Sequence, residues 1–160
     1  MKVTKSGWTA YAVALAVILL DQLSKYWILG VLRLPEQASQ EVLWPLQFTR
    51  IWNEGVSFGL FQAQHDVVRW GLVVFSLAAA TLLAAWARSQ GRVLPALGLG
   101  LVIGGAIGNA IDRARFGAVV DFIDVQRMGF FPWIFNVADS GITVGVILLL
   151  LDSLRPQRPA

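Results

Sequence analysis

Four apolar runs dominate the chain, and each is long enough to form a helix that crosses a membrane. Such a helix needs about 20 mostly apolar residues to span about 30 Å of hydrocarbon. The runs cover residues 8–29, 67–86, 94–111 and 137–152, and two longer, more polar stretches, 30–66 and 112–136, separate them. The pattern predicts an all-α polytopic membrane protein with four transmembrane helices, folded as a single membrane domain over residues 1–160.

The composition indicates a membrane protein rather than a soluble domain. Of the 160 residues, 56% are hydrophobic and 14% are charged, and the mean hydropathy is +0.62. A soluble chain carries roughly 25% charged residues. The chain has no cysteine and one histidine, His65, which excludes disulfides, thiolate nucleophiles and metal sites rich in Cys or His. We expect no metal, no cofactor and, since the basic residues are scattered, no nucleic acid partner.

The distribution of Lys and Arg predicts which side of the membrane each loop faces. The two termini and the short turn after the second apolar run hold six of these residues in about 23 positions. The two long loops hold five in about 63 positions. Because cytoplasmic loops carry the excess of Lys and Arg, both termini are expected in the cytoplasm and both long loops outside it.

The first long loop contains two further patterns. Residues 41–53 include β-branched and aromatic residues in rough alternation, which is typical of a short hairpin or small sheet. The segment 55–61 that follows is apolar enough to lie on the membrane surface and to cover a site beneath it.

Two ionisable residues, Asp21 and Lys25, lie inside the first apolar run, where a charge is costly and suggests a functional site. Their i,i+4 spacing places them on one helical face, where they can pair. They are interpreted either as a structural ion pair or as groups with a direct chemical role. A third possibility is the relay of a small proton-coupled carrier, although carriers usually show internal repeats, and none is visible here.

Small residues recur every fourth position in the last two apolar runs. Gly100, Gly104 and Gly108 lie in the third run, and Gly141 and Gly145 lie in the fourth. This spacing lets helices approach closely, so we interpret the glycines as packing residues. Close packing would bring the outer ends of these two runs together.

Polar residues capable of chemistry are concentrated at those outer ends. They are Asn109, Asp112, Arg113, Asp121, Asp124, Asn136 and Asp139. Two carboxyl groups close together in an apolar setting do not both ionise easily, so one can serve as base and the other as acid. We select Asp121 and Asp139 as the pair, and spacing alone does not exclude Asp112 or Asp124. The rival Ser24–Lys25 dyad is poorly placed, because adjacent helical residues do not face each other.

Five short motifs occur in order along the chain. They are Asp21-Gln-Leu-Ser-Lys25, Asn53-Glu-Gly55-Val-Ser-Phe58, Gly104-Gly-Ala-Ile-Gly-Asn109-Ala-Ile-Asp112-Arg113, Val120-Asp121-Phe122-Ile123-Asp124 and Phe135-Asn136-Val-Ala-Asp139-Ser140. Each motif is weak alone, but together, on a four-span chain of this size, they are specific. By these motifs essentially the whole chain resembles the bacterial lipoprotein signal peptidases (signal peptidase II), membrane aspartyl proteases.

The resemblance implies a fold and a site. The fold is four transmembrane helices with a small periplasmic β-sheet cradle and a short surface helix. The implied catalytic residues are Asp121 and Asp139. The residues implied to support the site or contact substrate are Asp21, Lys25, Asn53, Gly55, Gly105, Asn109, Asp112, Arg113 and Asn136.

The resemblance also implies a substrate and a location. The substrate is a prolipoprotein that carries diacylglycerol on a cysteine, and cleavage falls just before that cysteine. The enzyme is expected in the bacterial inner membrane, in contact with membrane lipid, with its active site at the periplasmic face. We further expect inhibition by globomycin-type peptides and a monomeric state. A non-catalytic membrane scaffold is the remaining alternative class.

Overall fold

The computed structural model describes residues 2–55 and 66–154. Its helices are α1 (Lys5–Tyr26), α2 (Asp66–Ala87), α3 (Val93–Phe116) and α4 (Val137–Ser153). Its strands are β1 (Ser39–Leu43), β2 (Leu46–Asn53), β3 (Val119–Asp124) and β4 (Ile134–Phe135). A π-helical turn over Trp27–Val31 continues α1, and a 3-10 turn over Gln126–Met128 follows β3.

The helix ends are set by local side chains and one glycine. Thr4 Oγ1 accepts the Gly7 N–H at 2.9 Å and starts α1. Asn136 caps α4 in the same manner, because its side chain accepts the Asp139 N–H. Helix α3 ends at Gly117, whose φ of 86° lies in the left-handed region that a glycine adopts without strain.

Helix α3 lies at the centre and packs against the other three helices. Its glycines make this possible, because a Cβ at Gly104 would lie 2.7 Å from the Ala14 carbonyl oxygen of α1. On another face, a Cβ at Gly98 would lie 2.9 Å from the carbonyl oxygen of Gly145 in α4. The interpretation of the glycines as packing residues is therefore confirmed.

The four strands form one antiparallel sheet in the order β1-β2-β3-β4. The hairpin expected within 41–53 is present as β1 and β2, and β3 and β4 from the second long loop complete the small sheet. Phe122 of β3 packs with Ile28 and Leu34, which follow α1, in a buried apolar cluster. This cluster attaches the sheet to the carboxyl-terminal end of α1.

Three helices are long and apolar enough to cross a membrane within the described ranges. They are Lys5–Val31, which joins α1 to its π-helical turn, and the whole of α2 and α3. Helix α3 continues to Phe116, so Asp112 and Arg113, which the sequence placed in the second long loop, lie on its last turns. The helix includes these residues because its backbone hydrogen bonds continue up to Gly117, whose left-handed conformation ends the helix. Most of the apolar segment 55–61, which was expected at the membrane surface, lies outside the described residues.

Candidate active site

Asp121 and Asp139 line the same cavity, although they lie on different elements. Asp121 is 1% exposed in β3, and Asp139 lies in the first turn of α4. Strand pairing explains their proximity, because Ile123 of β3 lies opposite Phe135 of β4, and α4 begins two residues later. The cavity measures about 470 Å³. Its other lining residues are Asn53, Phe131, Trp133, Ile134, Phe135, Ser140, Thr143 and Val144.

Two asparagines connect the two carboxyl groups. Asn136 Nδ2 donates to Asp121 Oδ1 at 2.6 Å and to Asn109 Oδ1 at 3.3 Å. Asn109 Nδ2 in turn donates to Asp139 Oδ1 at 2.8 Å. Both amides are buried and act as donor and acceptor, so their orientations are fixed by the network. The two aspartates are therefore held by one continuous set of hydrogen bonds.

Asp121 lies in an environment that favours its protonated form. Burial, and after it the negative charge of Asp139, raise the pKa of Asp121 to about 7, although hydrogen bonds from Asn53 and Asn136 oppose the shift. Desolvation and a nearby like charge both disfavour a carboxylate. Asp121 can therefore carry a proton at a pH where an ordinary aspartate is ionised.

Asp139 lies at the N-terminus of α4, where its contacts differ from those of Asp121. It is in the first turn of α4, where the helix dipole stabilises a negative charge. Its backbone N–H donates to Asn136 Oδ1 at 2.9 Å, which is the N-cap hydrogen bond of the helix. Its carboxylate accepts the hydrogen bond from Asn109. The two aspartates thus differ in environment, as a base and an acid require.

Behind this pair lies a buried ionic cluster. Lys25 Nζ contacts Asp21 Oδ2 and Asp112 Oδ2, both at 2.8 Å. The Lys25 side chain is 3% exposed and both aspartates are fully buried. Gln22 Nε2 donates to the same two carboxylates at 3.1 and 2.9 Å. The pairing of Asp21 with Lys25 agrees with their i,i+4 spacing, whereas the lysine's second partner was not anticipated.

The cluster also holds the backbone beside each aspartate of the pair. Asp112 Oδ2 accepts the N–H of Val120, the residue before Asp121, at 3.1 Å. Asp21 Oδ1 accepts the N–H of Ala138, the residue before Asp139, at 2.9 Å. Because Lys25 bridges the two carboxylates, it ties β3 and α4 to one another at the positions that carry the pair.

A second group of contacts surrounds Asn53. Its Nδ2 donates to Asp121 Oδ2 at 3.0 Å, and its Oδ1 accepts the Gly55 N–H at 3.1 Å. Arg113 Nη2 donates to the Gly55 carbonyl oxygen at 2.9 Å. The buried Arg113 Nε has no hydrogen-bond partner among residues 2–55 and 66–154. Arg113 is thus a buried cation beside the pair, with one donor available.

The other candidates from the sequence have different positions. Asp124 accepts hydrogen bonds from Gln47 and Thr49 and pins β3 to β2. Asp112 belongs to the Lys25 cluster, and neither Asp112 nor Asp124 lines the cavity. Ser24 donates to the Asp21 carbonyl oxygen, which occupies its hydroxyl as a donor.

The remaining candidate, Gly105, packs against the first turn of α4, where a side chain would meet the Ala138 carbonyl oxygen. Gln22 and the aromatic wall of the cavity, Phe131 and Trp133, were missed by the sequence analysis. Their only signal was nearness in the chain to Asp21 and to Asn136. No cluster of three or more His, Cys, Asp or Glu side chains able to hold a metal ion occurs among the described residues.

Comparisons with known proteins identify similar chains over most of this length. A family model described as "Signal peptidase (SPase) II" matches residues 13–155. A lipoprotein signal peptidase of Caulobacter vibrioides is 53% identical, over 96% of this chain and 90% of the relative. Another from Methylorubrum extorquens is 46% identical, over 89% of this chain and 83% of the relative.

Solved structures show the same fold. One bacterial membrane enzyme aligns with a TM-score of 0.84 at 27% identity and covers 100% of this chain and 99% of its own. A second aligns with a TM-score of 0.81 at 30% identity and covers 98% of each chain.

Proposed function

This chain belongs to the signal peptidase II family, and we propose that it cleaves lipid-modified prolipoproteins just before the lipidated cysteine, using Asp121 and Asp139. The observation that carries the assignment is the position of these two aspartates on one cavity, joined through Asn136 and Asn109. Family membership makes the protein a lipoprotein signal peptidase, and the geometry supports the aspartic class of the chemistry.

We place the site at the periplasmic face of the inner membrane, with both termini in the cytoplasm. The excess of Lys and Arg in the two termini and in the turn between α2 and α3 supports this orientation. It requires α4 to be a fourth span, and 17 residues at 1.5 Å each reach about 26 Å, close to the hydrocarbon thickness. A lipid-anchored substrate presents its scissile bond at this depth.

In the first step, water adds to the scissile carbonyl. The Asp139 carboxylate takes a proton from water while the water oxygen bonds to the carbonyl carbon, and Asp121 gives its proton to the carbonyl oxygen. A neutral tetrahedral diol results, so no full negative charge develops in an apolar setting. The raised pKa of Asp121 fits the acid, and the helix N-terminus fits the base.

In the second step, the diol collapses. Asp139 gives its proton to the amide nitrogen, the C–N bond breaks, and a hydroxyl proton of the diol returns to Asp121. The products are the carboxyl group of the signal peptide and the free amine of the cysteine, and the aspartates recover their starting protonation. Asn53, Asn109 and Asn136 keep both carboxyl groups in position throughout.

The test is cleavage of a lipidated precursor by the purified protein, read as a gel shift. We expect Asp121→Asn and Asp139→Asn to abolish cleavage. Each substitution removes a carboxyl group that donates or accepts a proton, and neither the asparagine side chain nor water can take over that role. Asp124→Asn is the matched control, since Asp124 lies buried on the same strand and away from the cavity.

The control variant should cleave, and thermal melting of all three variants should show that they fold. Inhibition by a globomycin-type peptide would show that the cleavage comes from this site. Retained cleavage in Asp121→Asn or Asp139→Asn would refute the assignment of these two residues as catalytic. Loss of cleavage only in Asp124→Asn would instead identify Asp124 as the catalytic residue.

A further inference from the structure

Exposed apolar side chains are concentrated at one end of the sheet. They belong to the hairpin tip, where β1 turns into β2, and to the turn that follows β3, and each is between 43% and 76% exposed. The two turns are neighbours, because Gln47 near the start of β2 lies opposite Asp124 at the end of β3. An ion pair between Arg127 and Glu41 also joins them. We call these side chains the apolar rim, and they are Val42, Leu43, Trp44, Met128 and Phe130.

Strand β2 connects the apolar rim to the candidate active site and lies across the ends of two helices. Near the site, Trp52 contacts Phe116 at the end of α3, with ring centroids 5.5 Å apart. Nearer the rim, Phe48 contacts Trp27, which directly follows α1, with ring centroids 5.6 Å apart. The ends of α1 and α3 lie side by side, because the buried ionic cluster joins them. Strand β2 therefore lies along this end of the helices rather than rising away from it.

The hairpin tip extends past α1, over the lipid that surrounds a spanning helix. The contacts of β2 pass from α3 to α1, so the rest of the hairpin continues beyond α1. Trp44 is four residues from Phe48 and lies up to about 13 Å further out, at about 3.3 Å per residue. Leu20, Leu23 and Trp27 share one face of α1 and are 61%, 62% and 41% exposed, as expected of a surface that meets lipid. The apolar rim therefore continues this lipid-facing surface at the level where the helix ends.

We propose that the apolar rim inserts into the membrane interface beside α1 and anchors the sheet to phospholipid of the leaflet on that side. Exposed apolar patches of this kind mark interaction surfaces, and tryptophan is favoured at the boundary between headgroups and hydrocarbon. The anchor acts on the site through β2, whose last residue, Asn53, donates to Asp121. The proposal requires α1 to span the membrane and does not depend on the proposed chemistry.

The competing occupant of the rim is a protein surface, such as that of the substrate. Position favours lipid, because the rim adjoins a face of α1 that already meets hydrocarbon. Charge also favours lipid. Glu41, the acidic residue next to the rim, is paired with Arg127, so its charge is compensated where lipid phosphates would otherwise repel it.

The experiment measures whether lipid touches the rim. The chain has no cysteine, so one introduced cysteine carries a bimane fluorophore at a single known position. Leu43→Cys is labelled and reconstituted in bilayers whose lipids carry bromine on the upper part of the acyl chains, which quenches the fluorophore on contact. Leu19→Cys, exposed on α1, gives the quenching expected in lipid. Glu36→Cys, in the exposed turn before β1, is the matched control at the opposite end of the hairpin.

We expect the label at Leu43 to lose fluorescence in brominated bilayers nearly as strongly as the label at Leu19, whereas the label at Glu36 should lose little. Trp44→Cys is a second rim position, which gives the answer should Leu43→Cys fail to fold. Quenching at both rim positions no stronger than at Glu36 would overturn the proposal. Rim labels that lipid does not quench, but that become shielded when a lipidated precursor is added, would assign the rim to the substrate and overturn it too. Failure of the proposed function is distinguishable, because quenching by lipid requires no cleavage.

Discussion

Replacing Lys25 with methionine should reveal how much the buried ionic cluster stabilises the fold. Methionine keeps most of the side-chain volume and removes the charge that pairs with Asp21 and Asp112 at 2.8 Å. Removing one partner of a buried ion pair costs about 3–5 kcal/mol, because the remaining charge is left uncompensated. Here two carboxylates lose their partner. For a chain of this size the loss corresponds to a fall in Tm of about 6–20 °C.

Thermal unfolding of the purified protein in detergent measures the effect. Arg127→Met is the matched control, because Arg127 pairs with Glu41 and both side chains are exposed, by 42% and 70%. An exposed pair contributes about 0–1 kcal/mol, so this control should melt within a few degrees of the unmodified protein. The reasoning is refuted if Lys25→Met melts as high as Arg127→Met.

A double variant separates charge from packing at this position. Adding Asp112→Asn to Lys25→Met removes one of the two uncompensated carboxylates, so part of the lost stability should return. Packing alone would make the two substitutions additive, and the double variant would then melt lower than either single one.

The remaining predictions concern the proton on Asp121 and the contact between α3 and α4. The pKa of Asp121 is raised to about 7 by burial and by its partner's charge, so kcat/KM should fall as the pH rises above about 7. Asn53→Ala removes a hydrogen bond that lowers the pKa of Asp121, so the fall of kcat/KM at alkaline pH should begin at a higher pH. A fall that begins at the same or a lower pH would contradict this. Gly105→Ala places a methyl group against the Ala138 carbonyl oxygen and should destabilise by about 1–3 kcal/mol, measured by melting. Gly71→Ala, with open space around it, should melt unchanged.

The helices could be predicted from the sequence because the apolar run that indicates each helix is a local feature of the chain. Each lies on a long apolar run, and the hairpin of β1 and β2 has alternation and a turn within 15 residues. Strand β3 has no such signal. Most of Val119–Asp124 is buried, so its residues do not alternate, and its partner β2 lies about 70 positions earlier in the chain. Its pairing depends on tertiary contacts that no local pattern encodes.

For the candidate site too, some features were predictable from the sequence and others depend on tertiary contacts. A pair of aspartates near the adjoining ends of the last two apolar runs was predictable from residue type, since carboxylates are rare beside apolar runs, although Asp121 lies on β3. Spacing alone could not choose among four of them, and the resemblance implied Asp121 and Asp139. The structure shows the physical difference, because Asp112 and Asp124 are occupied by hydrogen bonds away from the cavity. The bridge from Lys25 to Asp112 also depends on where α3 packs.

The glycines of α3 connect packing with the site, and Gly108 tests that connection. A Cβ at Gly108 would lie 2.7 Å from Asp21 Oδ2, so alanine there should displace the carboxylate that accepts the Ala138 N–H. Gly100→Ala is the matched control, because its Cβ would lie 2.5 Å from the Ala10 carbonyl oxygen, on the same helix and away from the site. Both variants should melt lower. At a temperature well below both transitions, kcat should fall several-fold only in Gly108→Ala, since activity then reports position rather than the folded fraction. Losses that follow Tm equally in both variants would mean that the glycines serve packing alone.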